Sequence, residues 1–154
     1  MQYWLMKTEP SSFGVEDLEA APRRTAPWDG VRNYQARNML RDSMRRGDQV
    51  FLYYSSTAVP GIVAFMQVVK QGYPDPTAFD RKHHHYDPDS DPKNPRWFMV
   101  DVQLKRRLAR TITLEELRAH AGKELKGMVL LRPGNRLSVS PVEAAHWKFI
   151  LSLE

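Results

Sequence analysis

The chain has no cysteine. Disulfides, thiolate zinc sites, iron–sulfur clusters and cysteine nucleophiles are therefore excluded, and the composition is compatible with a reducing compartment. Long hydrophobic runs are missing as well, since no stretch approaches the roughly 20 apolar residues of a membrane-crossing helix. The start, Met1-Gln2-Tyr3-Trp4-Leu5-Met6-Lys7, lacks the basic and apolar regions of a secretory signal, so the expectation is an intracellular, cytoplasmic protein (nuclear in a eukaryote) with no membrane partner. Also absent are a Gly-x-Ser-x-Gly elbow, a phosphate loop, a dinucleotide fingerprint and a zinc-binding helix motif. Internal repeats are absent too. Acids are scarce where their absence is most informative: between Trp28 and Arg46 only Asp29 and Asp42 stand against five arginines. The whole chain carries +5 at neutral pH, which favours a polyanionic partner but is small enough to be a solubility charge.

What is present is a set of short elements of both kinds. At 154 residues the chain is long enough for one self-sufficient core, and the expectation is a single domain over residues 1–154. Tyr3 to Met6 reads as a strand, Val15 to Leu18 as the start of an acidic helix, and Gln49–Tyr54 with Ile62–Lys70 as two antiparallel strands across Pro60-Gly61. From Arg96 to Lys105, Phe98, Val100, Val102 and Leu104 alternate with Trp97, Met99, Asp101 and Gln103, which predicts a strand with one buried side. Thr113 with Glu116, and Ser140 with Glu143, have capping-box spacing, with Leu114, Leu117 and then Ala144, Trp147 and Ile150 turned inward. Trp4 and Trp147 fall on apolar faces and are assigned to the core. The fold class expected is α+β, a partly closed β-barrel with short flanking helices.

After Trp28 and the Asp29-Gly30 turn, Asn33 is placed to cap a helix in which Ala36, Met39, Leu40 and Ser43 form a buried stripe. Arg37, Arg41 and Arg45 then form a row on another face. A row of arginines is usually a solvated face; a tryptophan and a glycine turn beside it supply what a nucleotide held out of a helix requires, a stacking surface and charge for phosphates. The Pro- and Asp-rich stretch from Gly72 to Pro95 reads as a long loop. Its His83-His84-His85 run and Asp87, Asp89 and Asp91 are not assigned to a metal. Adjacent histidines on an extended chain diverge, and the acids lack the glycine and distal glutamate of a calcium loop. No cofactor is expected.

The segments Tyr3-Trp4-Leu5-Met6-Lys7-Thr8-Glu9-Pro10, Trp28-Asp29-Gly30-Val31-Arg32-Asn33-Tyr34-Gln35-Ala36-Arg37-Asn38, Gly47-Asp48, Phe51 to Ser56, Tyr73-Pro74-Asp75, Pro95-Arg96-Trp97 and Arg136 to Pro141 together resemble the EVE domain over nearly the whole chain. The resemblance implies a PUA-like barrel flanked by helices, related to the YTH readers of methylated RNA. It also implies recognition of a modified base, most plausibly a modified cytosine such as 5-methylcytosine in DNA, flipped into an aromatic-lined pocket. Two departures stand out. Thr8 replaces the serine of the family's Ser-Glu-Pro, and the family's Tyr-His-Ser here reads Tyr54-Ser55 after Tyr53, which removes an imidazole from the expected pocket wall.

A flipped base needs an aromatic face, polar groups for its Watson–Crick edge and an apolar niche for a methyl group. Trp28 and Trp97 are the stacking candidates, beside Gly30 and Val31. Asn33 with Ser55 and Ser56 are candidates for the edge, with Tyr54 also placed in the pocket, although Asn33 as a plain cap and the serines as turn formers serve equally well. Lys7 and Glu9 share one face of the first strand and are placed at the mouth, and the resemblance puts Ser138 and Val139 near the pocket. Arg32, Arg37 and Arg41 are the phosphate candidates. The alternatives are an RNA-binding PUA-like module and a hydrolase of modified nucleosides, for which Lys7-Thr8-Glu9 would supply base, hydroxyl and acid. DNA is favoured over RNA by the resemblance alone.

Overall fold

The computed structural model describes all 154 residues. Six strands form one mixed sheet: β1 (Tyr3–Thr8), β2 (Thr25–Pro27), β3 (Gln49–Tyr54), β4 (Gly61–Pro74), β5 (Phe98–Thr113) and β6 (Val139–Val142). Their order is β2-β5-β4-β3-β1-β6, with β1 and β3 parallel and every other pair antiparallel. The helices are short: α1 (Val15–Ala20), α2 (Tyr34–Asn38), α3 (Leu114–Ala119) and α4 (Ala144–Ser152). The sheet does not close, because β2 and β6 remain its two edges; the expected barrel is an open sheet. No helix is long and apolar enough to cross a membrane.

Strand alternation sends side chains to two cores. Trp4, Met6, Val50 and Leu52 enter one, with Trp28, Val31, Leu40 and Val139, while Leu5, Phe51 and Tyr53 enter the other, with Ile62, Leu117, Trp147 and Ile150. Trp4 and Trp147 are core residues as expected, the latter stacked on Phe51 with ring centroids 3.8 Å apart. Both β4 and β5 run longer than their hydrophobic patterns predict, and their pairing shifts register at four places, which interrupts any single alternation. The Gly72–Pro95 loop correspondingly starts later. Its first residues complete β4, and Pro76–Phe79 form a 3₁₀ turn capped by the Asp75 side chain.

Two local expectations change. Helix α2 passes into a single π-turn over Met39–Ser43; the wider turn rotates the chain beyond it, so Ser43 is exposed and Met44 is buried in its place. Ser140 does not cap a helix. It lies inside β6 opposite Leu5, and α4 starts after Glu143 with His146, not Ala144, turned inward. Thr113 does cap α3, accepting from the Glu116 N–H at 3.1 Å.

Candidate nucleic-acid interface

A cleft of about 800 Å³ opens where β1 ends, walled by Lys7–Glu9, the Pro27–Arg32 turn, Ser138 and the His83–His85 segment. Such a volume suits a small-molecule or single-nucleotide ligand. Its apolar patch is Phe13, Trp28 and Val31; the remaining wall is polar. Trp28 is held by its backbone N–H, which donates to the Val100 carbonyl at 2.8 Å, and Phe13 meets the indole edge-on at 5.9 Å between centroids. The indole is 7% exposed, so one part of it belongs to the core and another faces the cleft.

The turn is fixed by a residue that sequence reasoning overlooked. Asp75 is fully buried, and one of its carboxylate oxygens accepts from the Gly30 N–H at 2.9 Å and from Arg32 at 3.1 Å. The other oxygen accepts from the Thr77 N–H at 2.9 Å and its hydroxyl at 2.5 Å. Burial pushes this carboxyl up, but the hydrogen bonds from Thr77, Gly30 and Arg32 outweigh it and hold Asp75 below the ordinary carboxylate range. Arg32 also donates to the His85 carbonyl at 2.8 Å. Its guanidinium is thus a brace between the turn and the loop. Its contacts inside the protein argue against the phosphate role expected for Arg32, although it lines the cleft and is partly exposed.

Histidines stand in the wall after all, though from a different segment than the family pattern. The chain is turned through His83–His85 rather than extended, so the rings gather with centroids 4.0–4.6 Å apart and ligand atoms within 4.8 Å of one another. The divergence expected of adjacent histidines on an extended chain is therefore lost in this conformation. His83 Nδ1 accepts from the His85 N–H at 3.0 Å, and His85 Nδ1 lies 3.3 Å from the Thr77 hydroxyl and 3.9 Å from Asp29. Burial lowers the His85 pKa and keeps its imidazole neutral at physiological pH. That ring lies directly on Gly30. Gly30 has φ +79°, and a Cβ there would collide with the imidazole. Gly30→Ala is therefore expected to cost about 1–2 kcal/mol from left-handed backbone strain and to push His85 off the wall, read as a lower melting temperature together with weaker ligand binding.

The other candidates divide. Lys7, Glu9, Gly30, Val31, Trp28 and Ser138 all line the cleft. Lys7 carries no ion pair; burial alone lowers its pKa, and its ammonium sits 5.9 Å from the Tyr53 ring centroid. Thr8, between Lys7 and Glu9, donates its hydroxyl to the Phe13 carbonyl at 2.8 Å. Asn33 caps the helix, accepting from the Ala36 N–H at 3.0 Å. Tyr54 accepts from the Val15 N–H at 2.8 Å, and the Ser55 N–H donates to the Thr8 carbonyl at 2.9 Å, so both support the cleft from behind. Ser56 is exposed in the next turn at φ +53°, and Val139 is fully buried in the core beside Ser138. None of these five is on the wall.

Trp97 is not a stacking platform for the cleft. It is 6% exposed, stacks on Tyr34 at 5.0 Å, lies under the Arg32 guanidinium at 5.3 Å, and donates its indole N–H to Asp87 at 2.6 Å. That bond holds the Asp87 carboxyl below its ordinary range. Arg37 and Arg41 sit outside the cleft, Arg37 donating to the Arg96 carbonyl at 2.7 Å and Arg41 forming two bonds to Asp42 at 2.7 and 2.8 Å. The Arg41–Asp42 pair is at the surface, where such contacts contribute little and exchange readily, whereas the Arg37 bond is partly buried.

Known proteins share this fold. The family model described as the EVE domain matches residues 2–153. Mouse thymocyte nuclear protein 1 is 48% identical over 167 residues, covering 99% of this chain and 73% of the relative. The structure of human THYN1 in complex with DNA containing 5-methylcytosine superposes with a TM-score of 0.94 at 45% identity, covering 99% of this chain and 97% of the other. A protein of Pseudomonas syringae superposes with a TM-score of 0.91 at 42% identity, each chain covered to 98%. The shared architecture is the PUA-like one, with the sheet left open.

Proposed function

The chain belongs to the EVE domain family, and from that premise we propose that it is one domain over residues 1–154 that reads a modified cytosine in DNA. The base is held out of the helix in the cleft at the end of β1. The observation that carries this reading is the cleft itself: an indole face and two apolar neighbours beside polar groups that the protein leaves unpaired. The complex of human THYN1 with DNA containing 5-methylcytosine supports it.

The chemistry fits a cytosine edge. Cytosine offers an amino donor at C4 and acceptors at N3 and O2. Glu9 supplies a carboxylate for the amino group, the pairing expected of an acid with cytosine N4, and Lys7 supplies a cation for the acceptors. Thymine has an oxygen at C4 that would face the Glu9 carboxylate. The 5-methyl group would enter the niche of Phe13, Trp28 and Val31. Binding, not catalysis, is the proposed activity; with the Thr8 hydroxyl already donated to the Phe13 carbonyl, the Lys7-Thr8-Glu9 run lacks an oriented nucleophile. A screen of the purified protein against cytosine, 5-methyl-, 5-hydroxymethyl- and 5-carboxylcytosine and N6-methyladenine, each in DNA and RNA, tests the reading. Recovery of every oligonucleotide unchanged in mass, with preference for a modified cytosine in DNA, is expected; preference for RNA, or release of a base, would overturn it.

The phosphates fall to the surface arginines. Arg37→Ala and Arg41→Ala should each weaken binding to all oligonucleotides alike and reduce the slope of log affinity against log salt by about one contact. Unchanged slopes in both variants would remove these residues from the interface.

A further inference from the structure

Tyr34 opens α2 and is 53% exposed, yet its surroundings hold it firmly. Its ring stacks on Trp97 at 5.0 Å with 26° between planes, and Trp97 is pinned by its bond to Asp87 and covered by Arg32. The Arg37 guanidinium lies 5.0 Å from the Tyr34 centroid and is itself tied to the Arg96 carbonyl. A column therefore runs from Arg32 on the cleft wall, through Trp97, to a phenol ring in solvent beside a cation. Neither core includes Tyr34. Trp97 is buried at 6% exposure, whereas the ring stacked on it stands in solvent.

A base drawn into the cleft leaves a gap in the duplex, with neighbouring bases unstacked and a partner base unpaired. A rigid aromatic beside the pocket, with a cation for the adjacent phosphate, recovers part of that loss by stacking on what is left behind. We propose that Tyr34 is this residue: it stacks on the bases of the duplex exposed when the modified cytosine leaves, while Trp97 and Arg32 keep it in register with the cleft. This inference rests on the base-reading function above. It assigns a second contact, outside the pocket, that acts on duplex DNA specifically, because a single strand has no helical stack to repair.

The test measures affinity of the wild type, Tyr34→Ala and Tyr34→Phe for one 5-methylcytosine oligonucleotide, as a duplex and as the same strand alone, with melting temperatures of all three proteins. Tyr34→Ala is expected to lose roughly tenfold on the duplex, within the range for one base–aromatic stack, and to stay within about twofold on the single strand. Tyr34→Phe should match the wild type on both, since stacking does not need the hydroxyl. Equal losses of Tyr34→Ala on both substrates, or no loss on the duplex, from a wild type that prefers 5-methylcytosine would overturn this inference alone. A wild type indifferent to the modification would overturn the base-reading function with it.

Discussion

Asp75→Ala is expected to lower stability by about 3 kcal/mol, the lower end of the range for a broken buried ion pair, because Arg32 keeps some access to water and can rehydrate. For a chain of this size that corresponds to a fall of roughly 6–12 °C in melting temperature. The effect should reach the cleft. Asp75 ties the Gly30–Arg32 turn to Thr77 and holds the guanidinium that reaches the His85 carbonyl, so its loss loosens two walls at once. Asp75→Asn should fall between, since the amide oxygen can still accept from one side. The pH dependence has a fixed sign. The folded-state pKa of Asp75 is depressed, so its stabilisation is present above the ordinary carboxylate value near 4 and is lost as pH falls through the lower folded value. The gap in melting temperature between wild type and Asp75→Asn should accordingly narrow as pH falls below about 4. Thermal melts of both proteins across that range check it; a gap that widens with acid would contradict the assignment.

Trp28→Ala is the second large effect, and it has two parts. The indole belongs to the core, so truncation should cost about 3–5 kcal/mol of stability. It also presents its face to the cleft, and loss of a base stacked there should cost about 1–3 kcal/mol of binding, roughly tenfold to hundredfold in affinity. Only the second part touches selectivity. The niche for a 5-methyl group is built against the indole, whereas Arg37 and Arg41 lie elsewhere and would keep weak, unselective binding. Measured below its melting temperature, Trp28→Ala should therefore show a collapsed ratio of modified to unmodified affinity. Trp28→Phe, which retains an apolar ring, should keep more of both stability and ratio. A folded Trp28→Ala with the wild-type ratio would remove the indole from base recognition. Trp97 could not take its place, as it is buried and does not line the cleft.

Much of the cleft was legible from local chemistry. The tryptophan beside a glycine turn, the alternation that puts Lys7 and Glu9 at the end of one strand, and the cap at Asn33 all depend on neighbours within a few residues. Asp75 was not, because its partners at Gly30 and Arg32 are 45 and 43 positions away and nothing in Tyr73-Pro74-Asp75 signals burial of the carboxylate. The histidine wall was missed for the opposite reason: local geometry was assumed to be extended, and the turns of that loop make it otherwise. Trp97 was placed on the wrong surface because a tryptophan in a strand pattern has two faces to choose from, and the choice here is made by Tyr34 and Asp87. At Ser43 a single π-turn, invisible in the spacing of apolar residues, shifted the buried stripe to Met44. The open sheet is a matter of strand order, which short hydrophobic patterns do not encode.

The central claim is that the cleft distinguishes both the methyl group and the edge of one base. Three duplexes identical except at one position, carrying 5-methylcytosine, cytosine or thymine, test it by their equilibrium affinities for the wild-type protein. Thymine shares the methyl group and lacks the amino donor; cytosine shares the edge and lacks the methyl group. Tightest binding to 5-methylcytosine, with cytosine and thymine each weaker, is the predicted result. Equal affinity for all three would mean that the protein holds DNA only by its phosphates, and the cleft at the end of β1 would not be its reading site.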